Sequence, residues 1–370
     1  AASALALAAC GTQGRQQTSD TCVSEDVSTT EKTLSFSNWP LYLDVAEGDE
    51  SKHPTLDAFT AQTGIAVTYN EDINDNNEFF GKVQNQLAGC QPTDRDIMVL
   101  TDWMGARLIR LGWLQKLDVS KLPNVRANLL SSLRDARSTA GEYSIPWQGG
   151  LSGLAYNAAV TGEIRTVDEL LTRADLKGKV TAFSEMRDTI GLLLQSNGHD
   201  PSNFTAAQFD DALAKLQKAV DSGQIRRFTG NDYATELAGG DIAACMAWSG
   251  DVIQLSAEDE KVRFVIPESG VIQYSDDMMV PNKAAHKANA EALMNHYYDP
   301  AVAAEVAAYV NYICPVEGAR AEAEKTDPEL AANPLIFPDE SVTSKAKGFM
   351  ALDEATEKAY EQKFQAVIGA

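Results

Sequence analysis

Aromatic and acidic side chains recur just past the ends of predicted strands in this sequence. Trp39 follows the first apolar run, Asp102 and Trp103 follow another, and Trp248 closes a third, with an aspartate three residues beyond it. Carboxylates neutralise ammonium groups, while aromatic faces hold methylene groups and attract cations. The pattern predicts a binding site for a cationic aliphatic molecule.

Further residues of the same two types lie in predicted connections between elements. Tyr42 lies near the end of the first strand, and Tyr274 and Asp276 lie in a predicted link between two strands. Glu185 and Asp188 are one turn apart at a predicted helix start. Helix capping is the alternative for these two acids, and core packing is the alternative for each tryptophan.

The residue patterns that mark common catalytic sites are missing from the sequence. No nucleophile elbow, phosphate loop, dinucleotide glycine fingerprint or HExxH motif is present, and the four histidines are scattered. We therefore predict a protein that is not an enzyme and has no cofactor. The alternative is an exported enzyme that uses Glu185 and Asp188 for general acid–base catalysis.

These side chains must be positioned by an α/β scaffold, because strand and helix patterns alternate along the chain. Strands are predicted at 34–38, 65–69, 96–100, 151–156, 179–183, 242–248, 262–266, 270–274 and 278–280, with helices between them and after them. Glycines 64, 89 and 112 are predicted to end the first three helices. The alternation predicts two α/β lobes, with ligands bound beyond the carboxyl ends of the strands.

Composition agrees with a soluble, two-domain chain that does not bind nucleic acid. The chain has 370 residues, 44% hydrophobic content and a net charge of −22. Recognition of nucleic-acid phosphates requires a basic face, and the large negative net charge argues against one. The negative field suits a cationic ligand, although solubility alone also accounts for it.

The N-terminus predicts a lipid-anchored, exported protein. Residues 1–9 are small and apolar, and Leu7-Ala8-Ala9-Cys10-Gly11 follows the lipobox pattern, in which Cys10 is lipidated. Residues 11–33 are polar and predict a flexible tether. We expect the protein to be held at the outer face of the bacterial cell membrane by this anchor alone.

Four cysteines remain after Cys10, and in an exported protein an even number predicts disulfides. Three pairings of Cys22, Cys90, Cys245 and Cys314 exist, of which we favour Cys22–Cys90 with Cys245–Cys314. No cysteine or histidine spacing indicates a zinc site, so no metal is predicted.

From residue 33 onward the sequence resembles the bacterial spermidine/putrescine-binding proteins, the extracytoplasmic solute receptors of polyamine ABC importers. The likeness rests on the stretches FSNWPLY, DIMVLTDWMGARLIRLGWLQKLDVSKLPN, YSIPW, SEMRDT, CMAWSGD and YSDDMMVP. The resemblance implies a two-lobed periplasmic-binding-protein fold, type II-like, in which each lobe is a mixed sheet flanked by helices, with a hinge between them. We expect lobe 1 at 34–146 plus about 277–315, and lobe 2 at 147–276 plus about 316–370.

The resemblance also implies which residues bind the amine. The ligand-binding residues that it implies or that we add from the pattern are Trp39, Tyr42, Thr101, Asp102, Trp103, Glu185, Asp188, Trp248, Tyr274, Asp276 and Tyr312. Pro40 and Leu41 stand where spermidine-binding members have a hydroxyl residue and an acid, and Asp44 and Asp102 are candidates to replace that acid.

The prediction is therefore a monomeric lipoprotein that captures a polyamine between its lobes and delivers it to a membrane permease. Putrescine and spermidine both remain candidates. The alternatives are a receptor of the same fold for another small solute, such as an amino acid derivative, a phosphonate or a metal, and a lipid-tethered adhesion or scaffold protein.

Overall fold

A computed structural model describes residue 22 and residues 24–135 and 140–369 of the chain. Cys10 and most of the predicted tether lie outside the described residues. The strands are β1 Thr33–Asn38, β2 Ala66–Glu71, β3 Ile97–Thr101, β4 Ser144–Asn157, β5 Val180–Phe183, β6 Ile225–Thr229, β7 Ala244–Trp248, β8 Val262–Val265, β9 Val271–Met279 and β10 Ala346–Lys347.

Sixteen α-helices occur among the described residues. They are α1 Pro54–Thr63, α2 Asn76–Ala88, α3 Asp102–Leu111, α4 Pro123–Asn128, α5 Ser131–Asp135, α6 Val167–Thr172, α7 Met186–Ser196, α8 Ala206–Asp221, α9 Tyr233–Gly239, α10 Ser249–Glu258, α11 Lys287–His296, α12 Pro300–Val310, α13 Ala319–Thr326, α14 Pro328–Ala332, α15 Glu340–Thr343 and α16 Glu354–Ile368.

Local signals in the sequence account for the helix boundaries near the site. Gly64 and Gly112 end α1 and α3 in the left-handed conformation, with φ of 73° and 69°, which favours glycine. Gly89 ends α2 without a positive φ. At the other end of α2, the Asp75 carboxylate accepts the backbone N–H groups of the next turn and fixes where that helix begins.

The sheet consists of two parallel parts joined by antiparallel strands. Its order is β2-β1-β3-β9-β4-β7-β5-β6, with β10 beside β9 and β8 beside β4. β1 is parallel to β2 and β3, and β5 is parallel to β6 and β7. β4 and β9 run antiparallel to each other, β9 is antiparallel to β3, and β4 is antiparallel to β7 and β8, whereas β10 is parallel to β9. We call the β1–β3 side the first lobe and the β5–β7 side the second lobe.

The architecture confirms the predicted two-lobed α/β fold. The predicted lobe boundaries, at 146/147 and 276/277, fall inside β4 and β9, which pass between the two sides of the sheet. The division itself stays a prediction.

The central strands β4 and β9 are both longer than predicted. The sequence suggested separate strands at 270–274 and 278–280 with Tyr274–Asp277 as their link, and this is wrong, because β9 runs unbroken through that segment. Asp276 is paired to Thr101 of β3 on one side and to Gln148 of β4 on the other. Pairing on both sides holds the acidic residues in the strand, although aspartate has a low strand propensity.

The cysteine prediction is half right. Cys22 and Cys90 form a disulfide, which ties the start of the described chain to the residue after α2. Cys245 and Cys314 are free and buried, so the favoured second pair is wrong. Cys245 lies within the central strand β7, while the Cys314 thiol points toward the Ala303 carbonyl of α12.

Among the described residues, no helix has both the length and the apolar character needed to cross a bilayer.

Candidate functional site

A narrow cavity lies where the strand ends of the two lobes face each other. Its volume is about 20 Å³. The lining residues are aromatic, acidic or small and polar: Trp39, Pro40, Tyr42, Asn76, Thr101, Glu185, Asp188, Asn231, Trp248, Tyr274, Asp276 and Tyr312. None of these is Lys, Arg or His.

The fold brings together nine of the eleven residues proposed from the sequence. They are Trp39, Tyr42, Thr101, Glu185, Asp188, Trp248, Tyr274, Asp276 and Tyr312. Asp102 and Trp103 do not line the cavity. Asp102 is exposed at the first position of α3, and Trp103 is buried on another side of that helix.

Asp276 is held at the first lobe by two hydroxyl groups. Tyr42 donates to Oδ2 at 2.8 Å, and Thr101 donates to Oδ1 at 2.7 Å. Burial raises the pKa of Asp276 to about 7 despite these hydrogen bonds, because desolvation disfavours the charged form. Its two hydrogen-bond donors are neutral hydroxyl groups, and no Lys, Arg or His of the described residues forms an ion pair with it.

Asp188 is held in the first turn of α7 by second-lobe residues. Ser152 donates its hydroxyl hydrogen bond to Oδ1, and the indole Nε1 of Trp248 donates to the same oxygen at 3.3 Å. Burial raises the pKa of Asp188 to about 6. These contacts show that Asp188 faces the cavity instead of capping its own helix.

Glu185 precedes α7 but makes no side-chain cap for it. It reaches across to the first lobe, where Asn76 donates its backbone N–H to Oε1 at 2.8 Å. The Asn76 amide Nδ2 contacts both carboxylate oxygens, at 2.8 and 3.0 Å. Burial, followed by the nearby Asp75 and Asp188 carboxylates, raises the pKa of Glu185 well above its ordinary value.

A fourth buried acid, Asp251, lies behind the cavity wall in α10. Tyr312 donates to Oδ1 at 2.6 Å, while Tyr233 and Asn231 donate to Oδ2 at 2.7 and 2.9 Å. Burial raises its pKa to about 6. Gly250 permits this arrangement, since a Cβ there would come within 2.1 Å of the Tyr312 ring.

Asp251, Asn76 and Asn231 were not proposed as ligand-binding residues from the sequence. Asp251 had a signal, because it follows the strand that ends in Trp248. Asn76 and Asn231 had no such sequence signal. Each is only a polar residue near a helix start, and polar residues are common there.

Aromatic rings enclose the space between the acids. The Tyr42 and Tyr312 rings meet edge to face at 4.6 Å, and Trp39 meets Trp248 in the same way at 6.1 Å. Trp248 stacks on Phe183 at 4.5 Å, which fixes the indole plane. The Trp39 indole donates to the Val99 carbonyl at 3.0 Å. The rings are thus held in place before any ligand enters.

The arginine nearest to the acids in sequence is turned away from them. Arg187, between Glu185 and Asp188 in sequence, places its guanidinium 4.8 Å from the Trp103 ring and 2.9 Å from the Glu357 carboxylate of α16. Arg107 and Arg110 of α3 also contact Glu357. This cluster joins α3 of the first lobe to α7 of the second through α16, and it accounts for the position of Trp103.

The acid that is missing at Leu41 is not replaced by either sequence candidate. Asp44 caps α1 through the backbone and hydroxyl of Thr55, and neither Asp44 nor Asp102 lines the cavity. Leu41 itself is exposed, with a φ of 58°, and does not line the cavity.

Within the described residues, no group of three or more His, Cys, Asp or Glu side chains is arranged to hold a metal ion. The acids of the cavity instead bond to hydroxyl, indole and amide groups. Such an arrangement offers separated negative charges along a slot with aromatic walls.

Comparison with known proteins places this geometry in a family. The family model described as "Bacterial extracellular solute-binding protein" matches residues 55–338. The putrescine-binding periplasmic protein PotF of Escherichia coli (strain K12) is 30% identical over 340 residues, covering 85% of each chain. The spermidine/putrescine-binding periplasmic protein of Salmonella typhimurium is 25% identical over 334 residues, covering 90% of each.

A solved structure shows the same fold. A putative spermidine/putrescine ABC transporter protein from Listeria monocytogenes superposes with a TM-score of 0.76 at 24% identity. The match covers 91% of this chain and 99% of that one.

Proposed function

The chain belongs to the bacterial extracellular solute-binding proteins, and on that premise we propose that it captures a polyamine of the putrescine or spermidine class and delivers it to an ABC transporter. Family membership supports binding for transport without catalysis. The names of the relatives support the ligand class, and the chemistry of the cavity supports it independently.

The observation that carries the proposal is a set of buried acids without a basic partner in the cavity. Glu185, Asp188 and Asp276 line it, and burial raises the pKa of each. A buried charge without a counter-charge is costly, and a protonated amine supplies that counter-charge. Asp276 binds one ammonium group, and Asp188, at the Glu185–Asp188 end of the cavity, binds the other.

The aromatic walls bind the methylene chain between the charges. Trp39, Tyr42 and Trp248 present ring faces and edges that exclude water and add cation–π attraction. The cavity is only wide enough for one or two water-sized groups. We expect the lobes to close around a bound amine slightly less tightly than they do here, and an unbranched chain requires the least separation.

Binding closes the two lobes because the ligand contacts both. Asp276 is held by Tyr42 and Thr101 of the first lobe, while Asp188 and Trp248 belong to the second. A ligand shifts a conformational equilibrium only through different affinity for the two states, and contacts to both lobes exist only in the closed state. Closure also lowers the effective dielectric, which strengthens each ammonium–carboxylate pair several-fold.

The cellular part of the proposal rests on the N-terminal sequence and on the relatives, which are named as periplasmic proteins. Lipidation at Cys10 and the polar residues that follow tether a monomer outside the cell membrane, where the closed form meets the permease subunits. Mass spectrometry of the protein from bacterial membranes tests the lipid, since a diacylglyceryl group adds a defined mass at Cys10.

A thermal-shift and calorimetry panel tests the ligand class. Butane-1,4-diamine and spermidine should raise the melting temperature, by an amount equivalent to about 4 kcal/mol at 1,000 times Kd. Butylamine, with one charge, and butane-1,4-diol, with none, are matched controls that should give much smaller shifts. If no amine changes the melting temperature while an anionic solute does, the proposal is refuted.

A further inference from the structure

Asn76, the first residue of α2, makes an unusually complete set of contacts between the lobes. Its backbone N–H and its side-chain Nδ2 both donate to Glu185 of the second lobe. Nδ2 also contacts the Thr101 hydroxyl at 2.8 Å, and Oδ1 accepts the Thr101 backbone N–H at 3.0 Å. Every side-chain polar atom of this residue is therefore used.

The hydrogen-bond partners of Glu185 differ from those of Asp188 and Asp276. Those two acids are held by residues that approach through hydroxyl or indole groups of the cavity wall. Glu185 instead accepts its hydrogen bonds from a single residue at the N-terminus of a 13-residue helix. These hydrogen bonds and the positive end of the helix dipole favour the charged carboxylate, although burial still holds the pKa of Glu185 well above its ordinary value.

The first turn of α2 is fixed against the second lobe by further contacts. The Ser184 hydroxyl donates to Asp75 at 2.6 Å, and the Asn231 backbone N–H donates to the Asn74 carbonyl at 3.4 Å. Asn76 is thus held in place at the Glu185 end of the cavity, which it also lines.

We propose that Asn76 is a specificity-determining residue that reserves Glu185 and so favours a diamine over a triamine. This inference rests on the proposed function. A diamine requires two acids, and Asp276 and Asp188 supply them. A triamine requires a third acid, and Glu185 is already occupied by the Asn76 amide.

Distance supports the same assignment. Contacts of 2.7, 2.8 and 2.8 Å link Asp276 to Thr101, Thr101 to Asn76 and Asn76 to Glu185. The two carboxylates are therefore at most about 8 Å apart, and the Asn76 amide lies between them. The nitrogens of an extended butane-1,4-diamine are about 6 Å apart, from ordinary bond lengths, and a longer chain that carries a further ammonium group to Glu185 must displace this amide.

The test measures the Kd ratio of butane-1,4-diamine to spermidine by calorimetry in Asn76→Ala and Asn76→Ser. We expect this ratio to rise at least about tenfold in each variant, so that spermidine gains affinity relative to the diamine. A tenfold change corresponds to roughly 1.4 kcal/mol. Asn77→Ala is the matched control, because Asn77 contacts Arg107 and Glu361 instead of the cavity. A ratio is unaffected by any fraction of misfolded protein, so partial loss of folding does not obscure the result.

Glu185→Gln in the Asn76→Ala background completes the experiment. If Asn76 acts by reserving Glu185, the second substitution abolishes the gain in spermidine binding. Equal weakening of both amines by the Asn76 variants, or the same shift in the Asn77→Ala control, overturns the inference while leaving the proposed function intact. A wild-type protein that binds no amine refutes the proposed function itself.

Discussion

Asp276→Asn is expected to move ligand affinity and ligand-free stability in opposite directions. Loss of the charge removes the partner of one ammonium group. Removing one member of a buried charge pair costs about 2–5 kcal/mol, so the Kd for butane-1,4-diamine should rise about 30- to 4,000-fold. Isothermal titration calorimetry at pH 8 measures this change.

The stability change follows from the pKa of Asp276. The ordinary value is 3.8, and burial raises the pKa to about 7 in the folded protein. Between these values the folded state binds a proton that the unfolded state has released, so the unfolding free energy falls as pH rises from about 4 to about 7. A shift of this size corresponds to a loss on the order of 4 kcal/mol at pH 8.

The Asn variant does not incur this loss, because the amide has no charge to desolvate. It keeps one acceptor oxygen for Tyr42 and Thr101, and the poorer hydrogen bonding offsets part of the gain. We expect the ligand-free variant to be more stable than wild type by roughly 1–3 kcal/mol at pH 8, with a much smaller difference at pH 4. Chemical denaturation at both pH values measures the difference.

Asp277→Asn is the control for position on the strand. Side chains of adjacent strand residues point to opposite faces, and Asp277 contacts Ser144 instead of lining the cavity. Its affinity for the diamine should stay close to that of wild type. If Asp276→Asn binds the diamine as tightly as wild type, or melts lower at pH 8 without losing affinity, Asp276 is a structural acceptor and the reasoning fails.

Three further predictions concern the cavity and the cluster behind it. Amine affinity should fall as pH drops from 7.5 to 5, because the raised pKa values of Asp276 and Asp188 oblige the ligand to displace protons; a Kd that does not change with pH in calorimetry would contradict this. Trp248→Ala should weaken diamine binding more than tenfold, the effect of losing about 1.4 kcal/mol or more, and a fall in thermal stability alone would indicate core packing. Glu357→Gln should cost about 3–5 kcal/mol in urea denaturation, because three arginines lose their shared partner, whereas Glu354→Gln, an exposed residue on the same helix, should change stability by less than about 0.5 kcal/mol.

The cluster around Glu357 gives the C-terminal helix a role in holding the lobes. Its carboxylate is buried, and it contacts arginines from α3 and from α7. Arg187 lies between the two acids of the SEMRDT stretch, so the position of α16 bears directly on the second anionic end of the cavity. No residue of α16 lines the cavity itself.

The sequence alone determined the elements and the kinds of side chain at their ends. Alternating apolar runs predicted the strands, glycines at 64 and 112 predicted helix ends, and Trp39 and Trp248 were expected where strands stop. These features depend on neighbours within a few residues, so they can be read locally. The resemblance to the polyamine-binding proteins added Thr101 and Tyr312 to the residues that line the cavity.

Only the tertiary structure decided which of these side chains meet. Trp103 follows Thr101 by two positions, yet the turn of α3 directs it toward Arg187 and away from the cavity. Asp276 lies within a strand because β3 and β4 pair with it on both sides, and Asn76 contacts Glu185 only because the two lobes face each other. Burial of a charge, and the partner that satisfies it, depend on chain segments far apart in sequence, such as 36 residues for Ser152 and Asp188 and 175 for Thr101 and Asp276, so local pattern contains no information about them.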